Sequence, residues 1–133
     1  VDGALDFIEK YNADYQFFII TGTPKFEIDM ILKGKNISNY FIEVFGSPQN
    51  KKYWNEHIIK KYNLSRNEIV FIGDSMSDYD AALFSKLNFI LRTTSHNEAI
   101  FSFYNGLKIA DLNNLNRTIK EINLLKYNTY YNK

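Results

Sequence analysis

The chain of 133 residues contains no cysteine, which excludes both a disulfide framework and a thiolate metal site. It has no apolar run of membrane-spanning length, and its acidic first ten residues do not resemble a signal peptide. The 16 Lys and Arg residues nearly cancel the 15 Asp and Glu residues, so no positive field attracts nucleic acid or an anionic membrane. We therefore expect neither as a partner, and the absence of cysteine fits a reducing cytoplasm.

The composition is that of an ordinary folded domain. Hydrophobic residues make up 45% of the chain and charged residues 23%, which argues against disorder. The length suits one domain with one buried core, and no linker or internal repeat divides it. The sequence predicts a single domain over residues 1–133, with a polar and aromatic tail at 127–133 that we expect to fray.

Short β-forming runs alternate with helical patterns along the chain. This alternation predicts an α/β fold with an open, mostly parallel sheet. The predicted strands cover residues 15–20, 41–45, 69–72, 88–91 and 107–110, and we expect the first to be buried on both faces. The predicted helices cover residues 1–12, 24–34, about 51–62, 78–87 and 114–125, the second of them capped by Thr23 with Pro24 in its first position.

The segment after the third predicted strand carries two carboxylates, Asp74 and Asp78. In parallel sheets, ligands bind beyond the carboxyl ends of the strands. Two carboxylates held together there repel each other unless a cation lies between them, and magnesium prefers oxygen ligands of this kind. We therefore predict that Asp74 and Asp78 bind Mg2+. The alternative is that Asp78 only caps the next helix and Asp74 only begins a turn.

Two other strand ends carry candidate residues for binding phosphate. Thr21 and Gly22 follow the first strand, where a hydroxyl, an amide and a helix N-terminus together bind anions readily. Lys51 follows the second strand in the first turn of a helix, where the helix dipole disfavours a cation, so a partner for its charge would explain the placement. The alternative is a solvated lysine face, and Lys52 is the candidate if the register is off by one.

The order of these residues resembles the haloacid dehalogenase (HAD) superfamily. The segment IITGTP is similar to its second motif, Lys51 falls at its third and GDSMSD resembles its fourth. The stretch from Phe45 to Ala82 looks most like the branch of phosphoglycolate phosphatase and β-phosphoglucomutase, and the resemblance runs from about Asp2 to Leu91. It implies a three-layer α/β/α Rossmann-like core and a Mg2+-dependent phosphatase that hydrolyses a small phosphorylated metabolite through an aspartyl-phosphate.

The resemblance also implies a role for each candidate residue. Asp74 and Asp78 would hold Mg2+, Thr21 and the Gly22 amide would bind the transferring phosphoryl oxygens, and Lys51 would offset charge between nucleophile and phosphate. Thr21 and Lys51 are accordingly the catalytic candidates.

One family motif has no counterpart in these residues. Family members carry an earlier Asp-x-Asp at the end of a central strand, and nothing before Thr21 offers it. We therefore expect the chain to be the C-terminal part of a longer protein, without its nucleophile strand and helical cap. In that case the strands ending at Thr21 and Asp74 either pair directly or take the missing N-terminal segment as a partner.

Two other functions compete with this interpretation. A receiver domain also places Asp, Thr and Lys at strand ends, but its Thr and Lys follow the acidic residues, whereas here they precede Asp74. A non-catalytic HAD-like binding or scaffold domain would also lack the first motif. The sequence upstream of Val1 distinguishes this second alternative from an enzyme.

Overall fold

The computed structural model describes residues 2–131, with side chains described through residue 123. Within that range helices and strands alternate, as the sequence pattern predicts. The strands are β1 (Phe17–Pro24), β2 (Phe41–Ser47), β3 (Val70–Gly73), β4 (Asn88–Arg92) and β5 (Lys108–Ile109). The helices are α1 (Ala4–Tyr11), α2 (Lys25–Gly34), α3 (Lys51–Tyr62), α4 (Met76–Phe84) and α5 (Leu115–Tyr131).

The described strands form two parallel sheets. One consists of β1 and β2, and the other has the order β3-β4-β5. Every ladder is parallel, which confirms the predicted α/β class. In the second sheet Gly73 pairs with Leu91, so the residues that follow them start from the same level of the sheet. This register determines which side chains meet at the carboxyl edge.

Both faces of the sheet are covered, as β4 shows most directly. Ile90 packs with residues of α1 and α5. Leu91, the next residue, belongs to a cluster on the other face that combines Phe101 and Tyr104 from the segment after β4 with residues of α4. Successive side chains of a strand point to opposite faces, so both faces of β4 lie under apolar cover. The fold is therefore the predicted three-layer α/β/α arrangement.

Between β1 and β3 the described residues form no ladder. Of the two alternatives given for these strands, the structure does not show direct pairing; the other, a missing segment as partner, stays a prediction. Both strands still contribute to one core, because Phe17 of β1 packs against the same cluster as Val70 and Ile72 of β3. Residues 17–20 are only half-buried, so the predicted burial of this strand on both faces is also wrong. A strand without a neighbour on one edge leaves the flanks of its side chains uncovered.

Three element boundaries differ from the predicted ones. Strand β1 continues to Pro24, which serves as the N-cap residue of α2 without a side-chain cap, so the predicted Thr23 cap is wrong. Helix α4 begins at Met76 rather than Asp78. Helix α5 continues to Tyr131, past the predicted end at 125, while residues 132–133 of the predicted tail lie outside the described residues. No helix of the described residues is long and apolar enough to cross a membrane.

Candidate active site

Asp78 is held in place by hydrogen bonds at the start of α4. Its Oδ2 accepts from the amides of Asp74 and Ser75, at 3.1 and 3.2 Å. The Ser75 hydroxyl accepts from the Asp78 amide in return, which completes a capping box. Only 7% of Asp78 is exposed. The capping role considered for this residue is therefore present, whatever else its carboxylate does.

Gly73 provides the space that Asp78 occupies. A Cβ atom on Gly73 would lie 2.3 Å from Cβ of Asp78 and 2.6 Å from its Cγ, far inside van der Waals contact. The strand therefore ends on a glycine because the carboxylate of the following helix packs directly on its backbone. This close approach is the physical reason for a glycine before the Asp-x-x-x-Asp segment.

Lys51 is the cation that meets this carboxylate. Its Nζ lies 2.6 Å from Oδ1 of Asp78 and donates to the Ser77 hydroxyl at 3.3 Å. The Lys51 side chain is 20% exposed, so the pair is largely withdrawn from solvent. Asp78 is thus the partner that explains a lysine in the first turn of α3, where the helix dipole alone disfavours it. Lys52 points elsewhere and places its Nζ 5.5 Å from the ring centre of Phe84.

Two hydrogen bonds position Lys51, one at the start of α3 and one between α3 and α4. The side chain of Asn50 caps α3 by accepting from the Tyr53 amide at 2.9 Å. Further along α3, the buried Asn55 donates its side-chain amide to the carbonyl of Ala81 in α4 at 3.2 Å. The helices that carry Lys51 and Asp78 are thereby joined one turn beyond the ion pair.

Asp74 is more accessible than Asp78. It follows the last residue of β3, and its side chain is 50% exposed. Its Oδ2 lies 3.3 Å from Nη1 of Arg92, the last residue of β4. Since Gly73 pairs with Leu91, the sheet register brings these two residues side by side.

Thr21 and Gly22 lie at the end of the other sheet. The Thr21 hydroxyl accepts from the Thr23 amide at 3.1 Å, within an irregular stretch where Ile20 pairs with Phe45 and Pro24 with Ser47. Gly22 is exposed, with open space around its Cα. The structure thus brings Lys51, Asp74 and Asp78 together, and the hydrogen bonds described for Thr21 do not include these residues.

The donors available to a metal ion are few among the described residues. No group of three or more His, Cys, Asp or Glu residues is close enough to hold one there. Asp74 has a half-exposed carboxylate with one long contact, whereas both oxygens of Asp78 already accept hydrogen bonds. Magnesium typically takes one or two carboxylates and completes its octahedron with water and substrate phosphate. The pair fits such an ion, with Asp74 as the readier ligand.

Reasoning from the sequence did not single out Ser75, Ser77, Arg92 or Asn97. Arg92 directly follows a predicted strand, the same signal that identified Asp74, and could have been found in that way. Asn97 lies in a loop, yet it is buried and donates to the carbonyl of Asp74. Its role depends on how the loop folds back, which no local pattern indicates.

Comparison with solved structures shows the fold. A HAD-superfamily hydrolase from Ehrlichia chaffeensis superposes with a TM-score of 0.74 at 18% identity, over 91% of this chain and 58% of that one. The candidate HAD hydrolase YfnB from Bacillus subtilis, solved bound to magnesium, gives 0.75 at 17% identity, over 90% and 55%. The core domain of a candidate phosphoglycolate phosphatase from Streptococcus pneumoniae gives 0.71 at 23% identity, over 90% and 87%.

The chain spans less than two thirds of the length of the first two of these structures. No curated protein matches the sequence. A sequence model of haloacid dehalogenase-like hydrolases matches residues 1–91, which include Thr21, Lys51, Asp74 and Asp78. The chain belongs to the haloacid dehalogenase-like hydrolase family.

Proposed function

We propose that these residues are part of a Mg2+-dependent phosphatase that hydrolyses a small phosphorylated metabolite through an aspartyl-phosphate. The observation that carries the proposal is the cluster of Lys51, Asp74 and Asp78 beyond the end of β3. A hydrolase that removes a halogen has no need of an acidic pair here. The name of one structural neighbour, a candidate phosphoglycolate phosphatase, favours the same class of substrate.

The carboxylates of the site would bind the metal ion, and its lysine, hydroxyl and backbone amide would bind the phosphoryl oxygens. Asp74 would bind Mg2+ directly, and Asp78 directly or through a water. Bound there, Mg2+ would neutralise negative charge on the transferring phosphoryl group. Lys51, already paired with a carboxylate, would hold a phosphate oxygen next to that carboxylate. Thr21 and the Gly22 amide would donate to the other phosphoryl oxygens from the end of β1.

The attacking carboxylate would come from outside these residues. Asp74 and Asp78 would be occupied by the metal, and Asp111, after β5, lies two strands away from β3. β1 and β3 each lack a strand partner on one edge among the described residues, while Phe17 and Val70 share one core cluster. We infer that an N-terminal segment of the same protein inserts a strand there and supplies the nucleophile.

We propose further that the whole protein is located in the cytoplasm.

The experiment compares two lengths of the same gene product. The 133-residue chain should not hydrolyse p-nitrophenyl phosphate or 2-phosphoglycolate at any Mg2+ concentration, because it lacks the attacking carboxylate. The longer product should do so, and Asp74→Asn and Lys51→Met should each abolish most of its turnover. Lys52→Met is the matched control, since this side chain lies against Phe84, and should leave turnover near that of the parent.

A non-catalytic binding or scaffold domain is the second candidate. It is favoured by Asp78, whose two oxygens are both engaged in hydrogen bonds that stabilise the start of α4. A scaffold predicts that the longer product binds a phosphorylated ligand or partner but does not turn over phosphate esters. Turnover that depends on Asp74 would exclude it.

A further inference from the structure

Arg92 and Asp74 form an ion pair between neighbouring strand ends. Nη1 of Arg92 lies 3.3 Å from Oδ2 of Asp74, a long and single contact. The arginine side chain is 29% exposed and the aspartate side chain 50%. Solvent therefore reaches the pair, and an ion or a water can approach Asp74 without any rearrangement of the backbone.

The side chain of Asn97 fixes the backbones of these two residues relative to each other. Its Nδ2 donates to the carbonyl oxygens of Asp74 and Arg92, at 2.9 Å each. Its Oδ1 accepts from the Thr94 amide at 2.8 Å, and the residue is only 5% exposed. These hydrogen bonds hold the backbone of Arg92 beside that of Asp74, so the fold itself keeps the two side chains within reach of each other.

Among the described residues, the Arg92 guanidinium makes no hydrogen bond besides the one to Asp74. Its Nε is buried without a hydrogen-bond acceptor among the described residues. Arg66 differs, because its guanidinium donates twice to Glu56 and once to the carbonyl of Ser85. Arg66 therefore links α3 to the segment after α4, whereas within the described part of the chain the Arg92 guanidinium donates to Asp74 alone.

The two carboxylates of the site are therefore neutralised in different ways. Asp78 has the close, largely buried Lys51 at 2.6 Å together with two backbone amides. Among the described residues, Asp74 has only Arg92 as a cationic partner, at the longer distance of 3.3 Å. A divalent cation that binds Asp74 meets a positive charge already in place, and the repulsion must be relieved by moving that charge away.

We propose that Arg92 is an internal counter-ion that occupies Asp74 in the metal-free chain and competes with the divalent cation for it. Arg92 lowers the metal affinity of the site and keeps Asp74 neutralised when no metal is bound. The inference rests on the proposed role of Asp74 as a metal ligand. It assigns to Arg92 a function that neither the acidic pair nor Lys51 performs.

The test is the affinity of the 133-residue chain and its variants for Mn2+, measured by electron paramagnetic resonance of the free ion. Exposed ion pairs contribute little, so we expect Arg92→Gln to lower the dissociation constant about 1.5- to 5-fold. Arg92→Lys keeps the charge and should stay near the parent value. Arg117→Gln removes the same charge from an exposed position on α5 and controls for the change in net charge. Asp74→Asn should abolish binding.

The outcomes separate this inference from the proposed function. In one outcome, Asp74→Asn abolishes Mn2+ binding, but Arg92→Gln leaves the affinity unchanged or weakens it. This result overturns the competition by Arg92 and leaves the metal site standing. No binding to any variant overturns both the competition and the metal site. If Arg92→Gln does not fold, the parent chain decides: the Nε–H resonance of Arg92 should shift on addition of Mg2+, with the same midpoint as the Asp74 amide. A resonance that does not move at saturation overturns the proposal.

Discussion

Lys51 Nζ lies 2.6 Å from Oδ1 of Asp78, and this contact joins the first residue of α3 to the first turn of α4. The two residues are 27 positions apart in the chain. Each charge is unfavourable alone, because the lysine lies at the positive end of a helix and the aspartate is almost completely buried. The ion pair neutralises both charges. The pair therefore has a structural function even before any ligand binds.

The first prediction is that loss of Lys51 destabilises the fold. Lys51→Met leaves the Asp78 carboxylate without its cation, and hydrogen bonds to charged groups are typically worth about 1.5–3 kcal/mol. We expect the free energy of unfolding in urea to fall by about that amount. Lys52→Met, whose side chain is exposed and contacts Phe84, should change it by less than about 0.5 kcal/mol. Equal losses for the two variants would contradict a specific role for Lys51.

The second prediction concerns Gly73. Gly73→Ala puts a methyl group within 2.6 Å of the Asp78 side chain, so the strand end or the carboxylate must move. Overpacking of this kind typically costs about 1–3 kcal/mol, and we expect a loss of that size in urea unfolding. Gly34→Ala is the control, because the space around Gly34 is open and it lies at the end of α2. That variant should keep or slightly raise stability. A neutral Gly73→Ala would contradict the close approach.

The third prediction is a pH dependence at Glu56. The guanidinium of Arg66 lies 2.7 and 2.8 Å from its two oxygens and lowers the pKa of this carboxyl from 4.5 to about 2. A lowered folded-state pKa means that the contribution to stability is complete above about pH 4.5 and is lost as the pH falls towards 2. The contribution is small, because both side chains are 41% exposed and solvent screens them.

Urea unfolding of the parent chain and of Glu56→Gln, each at pH 7 and pH 3, measures the contribution of the charged Glu56 to the free energy of unfolding. The parent should be the more stable protein at pH 7, and the difference should shrink at pH 3. Taking the difference between the two proteins removes the titration of all other carboxyl groups. A difference that is equal at both pH values would mean that the hydrogen bonds to Arg66 do not depend on the charge of Glu56.

The sequence pattern predicted the order of helices and strands better than it predicted how deeply each strand is buried. Apolar runs such as residues 69–72 indicate a strand whatever lies beside it, so the order of elements and the parallel sheet were correct. The half-burial of Phe17 to Ile20 was not predicted, since burial depends on which strands are neighbours. The local pattern describes a strand alone and contains no information about an empty edge.

The positions of the candidate residues were predicted in part, while their roles stay predictions. Asp74 and Lys51 were singled out because each comes after a strand, and Asp78 because it opens the next helix; the structure places the three near one another. The direct contact of Lys51 with Asp78 could not be deduced, because it depends on how α3 packs on α4. The reason for the glycine at position 73 could not be deduced either: it makes room for the carboxylate of Asp78, five positions later, which only the folded chain shows.

The last prediction concerns the unpartnered edges of β1 and β3. Backbone amides on such edges have no ladder acceptor, and each one buried without a partner costs about 1–3 kcal/mol. In the 133-residue chain we expect alternate amides of β3 to exchange with deuterium at nearly the rate of an unfolded chain. Amides of β4 should be protected, because this strand pairs with β3 on one side and β5 on the other. The comparison lies within one molecule, so overall stability affects both strands alike.

The longer gene product should protect the β3 amides as strongly as those of β4, because the added strand supplies the missing acceptors. The expected change is therefore confined to β1 and β3. Native mass spectrometry of the purified 133-residue chain checks that no second polypeptide fills the edge, since a bound segment would give the same protection. Full protection of β3 in a chain of the 133-residue mass would mean that β1 and β3 pair with each other in solution. The proposal of an inserted strand would then fail.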